Sequence, residues 1–302
     1  MNKTLFLSLI ALCEFTFTSD LDKELIKALQ SNNEHQVDEL IAQKVDVNKI
    51  DPGTDWTPLH QALVYSNPTI IKKLINAKAD VNKVADMGKV PLFRAVDTNN
   101  LNIIQMLIDA GAEVNATDKD KKTPLHSSLV TFSPNKSIIK LLLQANANPL
   151  IKDVHGQTAL DFAKLYTTLP ESWKTQVNEA KQQEIIKLIE EYIQLLNKTK
   201  ATPDENTLGK AVAFGSPVLV RELLQKVKPS PYLLSQYGAL AQEKYASTQE
   251  KPYQIIGKIL GDYLNQVRLA HRLTGATAYA TTSTELSKDI AKTIAGYVYS
   301  KN

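Results

Sequence analysis

The sequence predicts an all-α repeat solenoid of stacked helix pairs with a helical C-terminal extension. Two short phrases recur at a shared period, and the apolar residues between them fall at helical spacing. The first phrase is Thr57-Pro58-Leu59-His60, followed by Val90-Pro91-Leu92-Phe93, Thr123-Pro124-Leu125-His126 and Thr158-Ala159-Leu160-Asp161, with starts 33, 33 and 35 residues apart. The second is Val45-Asp46-Val47-Asn48, Ala79-Asp80-Val81-Asn82, Ala112-Glu113-Val114-Asn115 and Ala147-Asn148-Pro149-Leu150, starting 34, 33 and 35 residues apart. Two independent phrases that keep one period mark an internal repeat rather than chance composition.

The chain opens with a short signal-like segment. Lys3 precedes Leu5, Phe6, Leu7, Leu9, Ile10, Ala11 and Leu12. One positive charge and then a brief apolar run is the layout of a secretory signal peptide, so residues 1–19 are expected to direct export, to the periplasm or outside the cell. The run is too short to span a bilayer, and no later segment is apolar enough to do so. Ile10-Ala11-Leu12-Cys13 departs from a lipidation site by carrying Leu12 where a small residue belongs. If the segment is retained instead, it would cap the first repeat and the protein would be cytoplasmic.

The repeat region is expected over 20–197. Leu21, Leu25, Ile26 and Leu29, then Val37, Leu40 and Ile41, form a capping pair over 21–48. Units follow near 57–89, 90–122, 123–157 and 158–197. In the first, Thr57 suits an N-cap and Pro58 the first helical position, where a missing N–H costs nothing. Leu59, Ala62 and Leu63 line one face, Ser66-Asn67-Pro68 breaks the helix, and Ile70, Ile71, Leu74 and Ile75 line the second. The unit of 90–122 repeats this with Ile103, Ile104, Leu107 and Ile108, and ends its second helix at Gly111, which readily closes a helix in left-handed conformation. Ile185, Ile186, Leu188, Ile189, Ile193 and Leu196 predict a long last helix, after a stretch holding Pro170 and Trp173.

These units resemble ankyrin repeats, with the Thr-Pro-Leu-His opening, the second-helix apolar pattern and the exit seen in Gly111-Ala112-Glu113-Val114-Asn115. The resemblance is carried by residues 57–160 and implies helix pairs with β-hairpin fingers projecting from them. Departures are specific. Lys78 and Asn146 replace the helix-ending glycine; asparagine tolerates that backbone, whereas lysine adopts it at some strain. Val90 and Phe93 lose the threonine and histidine, and Ser133-Pro134 lies in a two-residue expansion. Residues 198–268 are expected to be a degenerate continuation of the array or a separate helical extension. Lys198 to Glu205 reads as a joint, and 231–247 with 252–268 as a further pair. The last part, 269–302, reads as a linker and a short helix through Leu286, Ile290, Ile294 and Val298.

Composition excludes several classes. Hydrophobic residues make up 43% and charged residues 22% of 302, enough for a core and too balanced for disorder. Net charge is +3, without the dense basic stripe of a dedicated nucleic-acid binder. Cys13 is the only cysteine, so neither an internal disulfide nor a cysteine zinc site can form.

No catalytic residue, cofactor or metal site is expected. His35, His60, His126, His155 and His271 share no metal-ligand spacing, and no phosphate-binding loop or nucleophile motif occurs. The resemblance implies that His60 and His126 bond neighbouring backbone and threonine groups. Asp118 and Asp120 alternate with Lys119, Lys121 and Lys122, which reads as a solvated turn.

What remains is a surface for a protein partner rather than a small-molecule substrate. Repeat stacks present an extended concave face. By alignment it holds Gln61, Val64 and Tyr65, then Arg94, Asp97 and Thr98, then Ser127, Val130 and Thr131. The finger tips add Asp55, Trp56, Asp86, Met87, Lys89, Lys119, Lys121 and Lys122. Trp56 and Tyr65 fit as anchors, although Trp56 fits equally well as bulk packed on the next finger. Together with the signal-like N-terminus, this describes an exported interaction protein, such as a secreted effector. The alternatives are binding of nucleic acid or an anionic surface through 251–302, with Lys251, Lys258, Arg268, Arg272, Lys288, Lys292 and Lys301, and an enzyme without a recognisable constellation.

Overall fold

The computed structural model describes residues 21–65, 67–130, 134–165 and 179–274, with the side chains of Asp86 and of 269–274 excepted. The expected export segment with Cys13, Thr131, Ser133, Pro170, Trp173 and everything after residue 274 lie outside the described residues. Among those described, the chain forms helices and no strand longer than one bridge pair. It divides into two compact units, residues 1–142 with 147–189, and residues 143–146 with 190–302.

The first unit holds the repeats. Its helices are α1 (21–30), α2 (Glu34–Ala42), α3 (Pro58–Tyr65), α4 (Pro68–Asn76), α5 (Pro91–Asp97), α6 (Leu101–Asp109), α7 (Pro124–Ser127), α8 (Lys136–Gln144) and α9 (Ala159–Leu165). First helices stack in one row, α3 on α5, α5 on α7 and α7 on α9; second helices stack in another, α2 on α4 and α4 on α6. Local signals fix the ends. Asn33, Asn67 and Asn100 each cap the following helix by accepting its free amides, and proline sits at the first position of α4, α5 and α7. The core takes the predicted apolar positions Leu59, Ile70, Ile71, Leu74, Ile103, Ile104 and Leu107, and with them Leu92, Phe93, Leu125 and Ile139.

Neighbouring repeats are also joined by hydrogen bonds. His60 Nδ1 lies 2.8 Å from Thr57 Oγ1, and Nε2–H donates at 3.2 Å to the carbonyl of Lys89, which closes the finger leading into the next unit. His126 does the same, with its Nδ1 accepting from the Thr123 amide at 3.1 Å and its Nε2–H donating to the Gln157 carbonyl at 3.3 Å. A carbonyl can only accept, so Nε2 carries a proton in both rings; the Thr123 amide donating to His126 Nδ1 makes that ring neutral, and burial holds the pKa of both imidazoles below the ordinary value. A second series runs through the exit asparagines. Asn48 donates to the Lys78 carbonyl and accepts from the Asp80 amide; Asn82 does so with Gly111 and Glu113; Asn115 accepts from the Asn148 amide. Where Phe93 replaces the histidine, the ring is buried instead and no such bond is made from that side chain.

The implied β-hairpin fingers are shorter than the resemblance suggests. Each closes on one main-chain bond: Asp51 to Trp56, Ala85 to Lys89, Asp118 to Lys122 and Asp153 to Gln157. Arms of so few residues form a turn and not a ladder. Lys78 and Asn146 are left-handed, at φ of 70° and 72°, matching Gly111 at 91°.

The second unit contains α11 (Glu205–Phe214), α12 (Pro217–Lys226), α13 (Pro231–Thr248) and α14 (Lys251–Thr274), preceded by α10 (Glu179–Ala201), which begins in the first unit's residues. The expected joint at Lys198–Glu205 is narrower than predicted, because nothing before Pro203 breaks α10. Asp204 then caps α11 through the Thr207 amide, and its carboxyl is held down to about 2, chiefly by hydrogen bonds from Thr207 and the Lys198 amine. α11 packs on α12 and α13, and α13 with α14 forms the longest helix pair. Gly215 turns between α11 and α12 at φ +85°; a Cβ there would come within 2.6 Å of Gln144 Nε2 and 2.9 Å of Tyr253 Cζ. Gln144 Nε2 donates to the Phe214 carbonyl at 3.1 Å, and the Tyr253 hydroxyl to Ala213 at 2.8 Å.

Two outcomes follow from the repeat joints. Burial pushes the His60 imidazole from its ordinary 6.5 down to about 4, against the opposing pull of the Lys89 carbonyl and with Arg94 adding to the shift. The unfolded chain therefore takes up the proton first, so stability is complete above about pH 6.5 and falls as the pH drops towards 4, by about 3 kcal/mol for a fully buried ring. Denaturant unfolding at pH 7.5, 5.5 and 4.5 measures this slope, and His60→Gln should reduce it; an identical slope in the variant contradicts the assignment. Lys78→Gly should raise the unfolding free energy by about 1 kcal/mol through relief of the left-handed lysine, read as a higher denaturation midpoint.

Candidate functional site

The side chains expected at the partner surface sit on α3, α5, α7 and the fingers, and they do not all face the same way. Tyr65 and Val64 end α3, and Val130 follows α7; they are 48, 46 and 56% exposed. Val64, Asp97 and Val130 hold one register, 33 residues apart on consecutive units. Thr98 is exposed beside Asp97, with its hydroxyl donating to the Ala95 carbonyl at 2.7 Å. Ser127 is half-buried at the end of α7.

Gln61 departs from its expected place. It is fully buried, and its Nε2 donates to Thr54 Oγ1 at 2.9 Å, while Thr54 donates to Asp51 at 2.8 Å. The longer first finger folds Thr54 against it, so Gln61 braces that finger from within and is not presented to solvent.

Trp56 is half-buried, and the Arg94 guanidinium of the next unit lies 4.4 Å from its ring centre. This is a cation–π contact across units. Arg94 also reaches Asp97 at 4.0 Å. The indole thus packs onto the first helix of the following repeat rather than on its finger, and keeps part of its surface exposed.

The fingers meet along their tips. The Lys119 amide donates to the Met87 carbonyl at 3.0 Å, and the Val154 amide to Asp120 at 2.9 Å. Lys119 and Lys121 are exposed, and Lys122 reaches Asp120 at 3.4 Å. Met87, Val84 and Val154 are exposed apolar side chains on these same fingers. The sequence reading named Met87 and missed Val84 and Val154. Their positions could have been found by extending the repeat alignment into each finger.

This geometry is that of a repeat family. Models of ankyrin repeats match the chain over residues 25–118, as three copies, and over 120–154. Residues 25–154 are ankyrin repeats. The match begins inside the N-terminal helix pair and stops before the fourth phrase-bearing unit. No curated protein matches the chain significantly. Ankyrin repeats are generally protein–protein interaction modules. Among the described residues of this ankyrin protein no cluster of His, Cys, Asp or Glu is arranged to hold a metal, and no helix is long and apolar enough to cross a membrane. A shallow pocket at Gly156, Gln157, Asp161, Lys164 and Leu165 gathers no buried polar group.

The Trp56–Arg94 contact is measurable. A double-mutant cycle with Trp56→Ala and Arg94→Ala should give a coupling of about 0.5–1 kcal/mol in denaturant unfolding. Additive single effects would show that the two side chains are merely adjacent.

Proposed function

We propose that this is a non-catalytic binding protein that holds a protein partner on the face formed by the first helices and finger tips of its ankyrin array. The carrying observation is the exposed apolar set of Val64 and Tyr65 at the end of α3 and Val130 two units on, at the position matching Val64, with Asp97 at that position on the unit between. Stacking does not need these side chains, because the cores of the same helices are filled by Leu59, Leu63, Leu125 and Leu129. Exposed large apolar side chains gathered on one face mark an interaction surface. Val84, Met87 and Val154 on the fingers extend it.

The proposed mechanism is affinity from a surface already in place. α5 packs between α3 and α7, α7 between α5 and α9, and α3 against α4 and α5, so little ordering is required on binding. Tyr65 suits an anchoring role, since aromatic side chains carry much of the energy at interfaces.

The test is capture of partner by the tagged chain from the cells or fluid in which it occurs, identified by mass spectrometry and repeated with Tyr65→Ala/Val130→Glu. Both positions are exposed, so the variant should keep its melting temperature and circular dichroism while partner recovery falls about tenfold or more. Undiminished recovery with the variant would remove this face as the binding surface.

A further inference from the structure

On the fingers of 118–122 and 152–157 the lysines and aspartates alternate in sequence and nearly cancel, yet the fold turns two of the three carboxylates inward, whereas Asp55 on the first finger stays exposed. Asp118 turns its carboxylate inward, where Oδ1 accepts the Asp120 amide at 3.0 Å and the Lys122 amide at 2.9 Å. Asp153 does the same with His155 at 2.8 Å and Gln157 at 2.9 Å, and is buried. Asp120 takes up Lys122. Lys119, Lys121 and Lys152 are left exposed, and none of them has an ion-pair partner among the described residues. Lys119 has a definite place. A Cβ added at Gly88 would lie 3.2 Å from Lys119 Cγ, so the lysine stem runs along the preceding finger beside exposed Met87.

The helix side of the same face is nearly neutral. Arg94 reaches Asp97 at 4.0 Å, and Lys89 is close enough to act on the same carboxylate. The apolar positions Val64, Tyr65 and Val130 therefore lie towards the helices, and the exposed ammonium groups of Lys119 and Lys121 lie on the fingers, with Lys152 beyond them acting in part on the Asp161 carboxylate.

We propose that the partner segment held here is acidic and amphipathic, with aliphatic or aromatic side chains against Val64, Tyr65 and Val130 and carboxylates towards Lys119, Lys121 and Lys152. The inference rests on the reading of this face as the binding surface. Charge complementarity of this kind sets which partners are accepted and how fast they arrive. A nucleic-acid duplex, whose base faces are covered by stacking, would use the lysines and leave the valines and tyrosine uncovered, so it fits the face less well; a single strand could stack on Tyr65, and the polyuridylate arm below tests it.

The experiment uses the full chain and two labelled synthetic helical peptides with the same leucine and phenylalanine positions. One carries glutamate and the other lysine at every polar position. Fluorescence anisotropy should show the glutamate peptide binding about tenfold more tightly than the lysine peptide, the sum of several modest exposed pairs. Raised salt should shrink that difference, as should Lys119→Glu/Lys121→Glu/Lys152→Glu, which leaves the melting temperature unchanged. Equal binding of the two peptides overturns the inference, as does glutamate-peptide binding that the triple variant leaves intact, or polyuridylate binding as tightly as the glutamate peptide. If Val64→Glu/Val130→Glu abolishes two equal bindings, the face stands as a binding surface and only its acidic preference falls.

Discussion

Each helix pair of the array has an apolar face that it cannot cover by itself, and everything else in the first unit depends on a neighbour covering it. Leu59, Leu92 and Leu125 are buried because α3, α5 and α7 lie side by side. Apolar burial supplies most of the driving force, but it does not by itself fix how far one pair is displaced from the next. The hydrogen bonds from His60, His126, Asn48 and Asn82 do that, since the asparagines end on main-chain groups of the following unit and the histidines on the residue that closes the finger leading into it. A buried polar group left without its partner is costly, so these bonds penalise any other register.

The same ties place the functional face. The His60 and His126 bonds end on Lys89 and Gln157, the closing residues of fingers. They therefore fix the finger tips relative to the first helices. Once the fingers are fixed, the turn-closing demands of Asp118 and Asp153 draw the carboxylates in, and the lysines remain outside. A surface with apolar and cationic sides thus arises from bonds whose first purpose is structural. The cost of the arrangement is sensitivity to acid, because the joints need neutral imidazoles.

Much of the array could be read from particular residues. The Thr-Pro-Leu-His phrase and its period gave the helix pairs, and Ile70, Ile71 and Leu74 of α4 and Ile103, Ile104 and Leu107 of α6 are buried where helical spacing put them. Lys78 and Asn146 adopt the left-handed backbone that their place in the repeat demands. The face was less legible. Gln61 is polar and precedes the exposed pair Val64 and Tyr65, yet the inserted residues of the first finger cover it, and insertion lengths do not say where a loop folds. Trp56 had two readings in the sequence, and its contact with Arg94 on the next unit's first helix belongs to neither the anchor role nor packing on the next finger, because spacing along the chain does not show which side chains meet across a unit boundary.

The sequence by itself determined the repeat, its period and the helices, because these depend on spacing along the chain and on residues acting within one turn of each other. Tertiary structure alone decided which charges of the fingers point outward and which polar side chains are covered. Asp118 and Asp120 are alike in type and two positions apart, but one closes a turn and the other stands at the tip. That difference depends on backbone amides and neighbouring units, which composition does not encode.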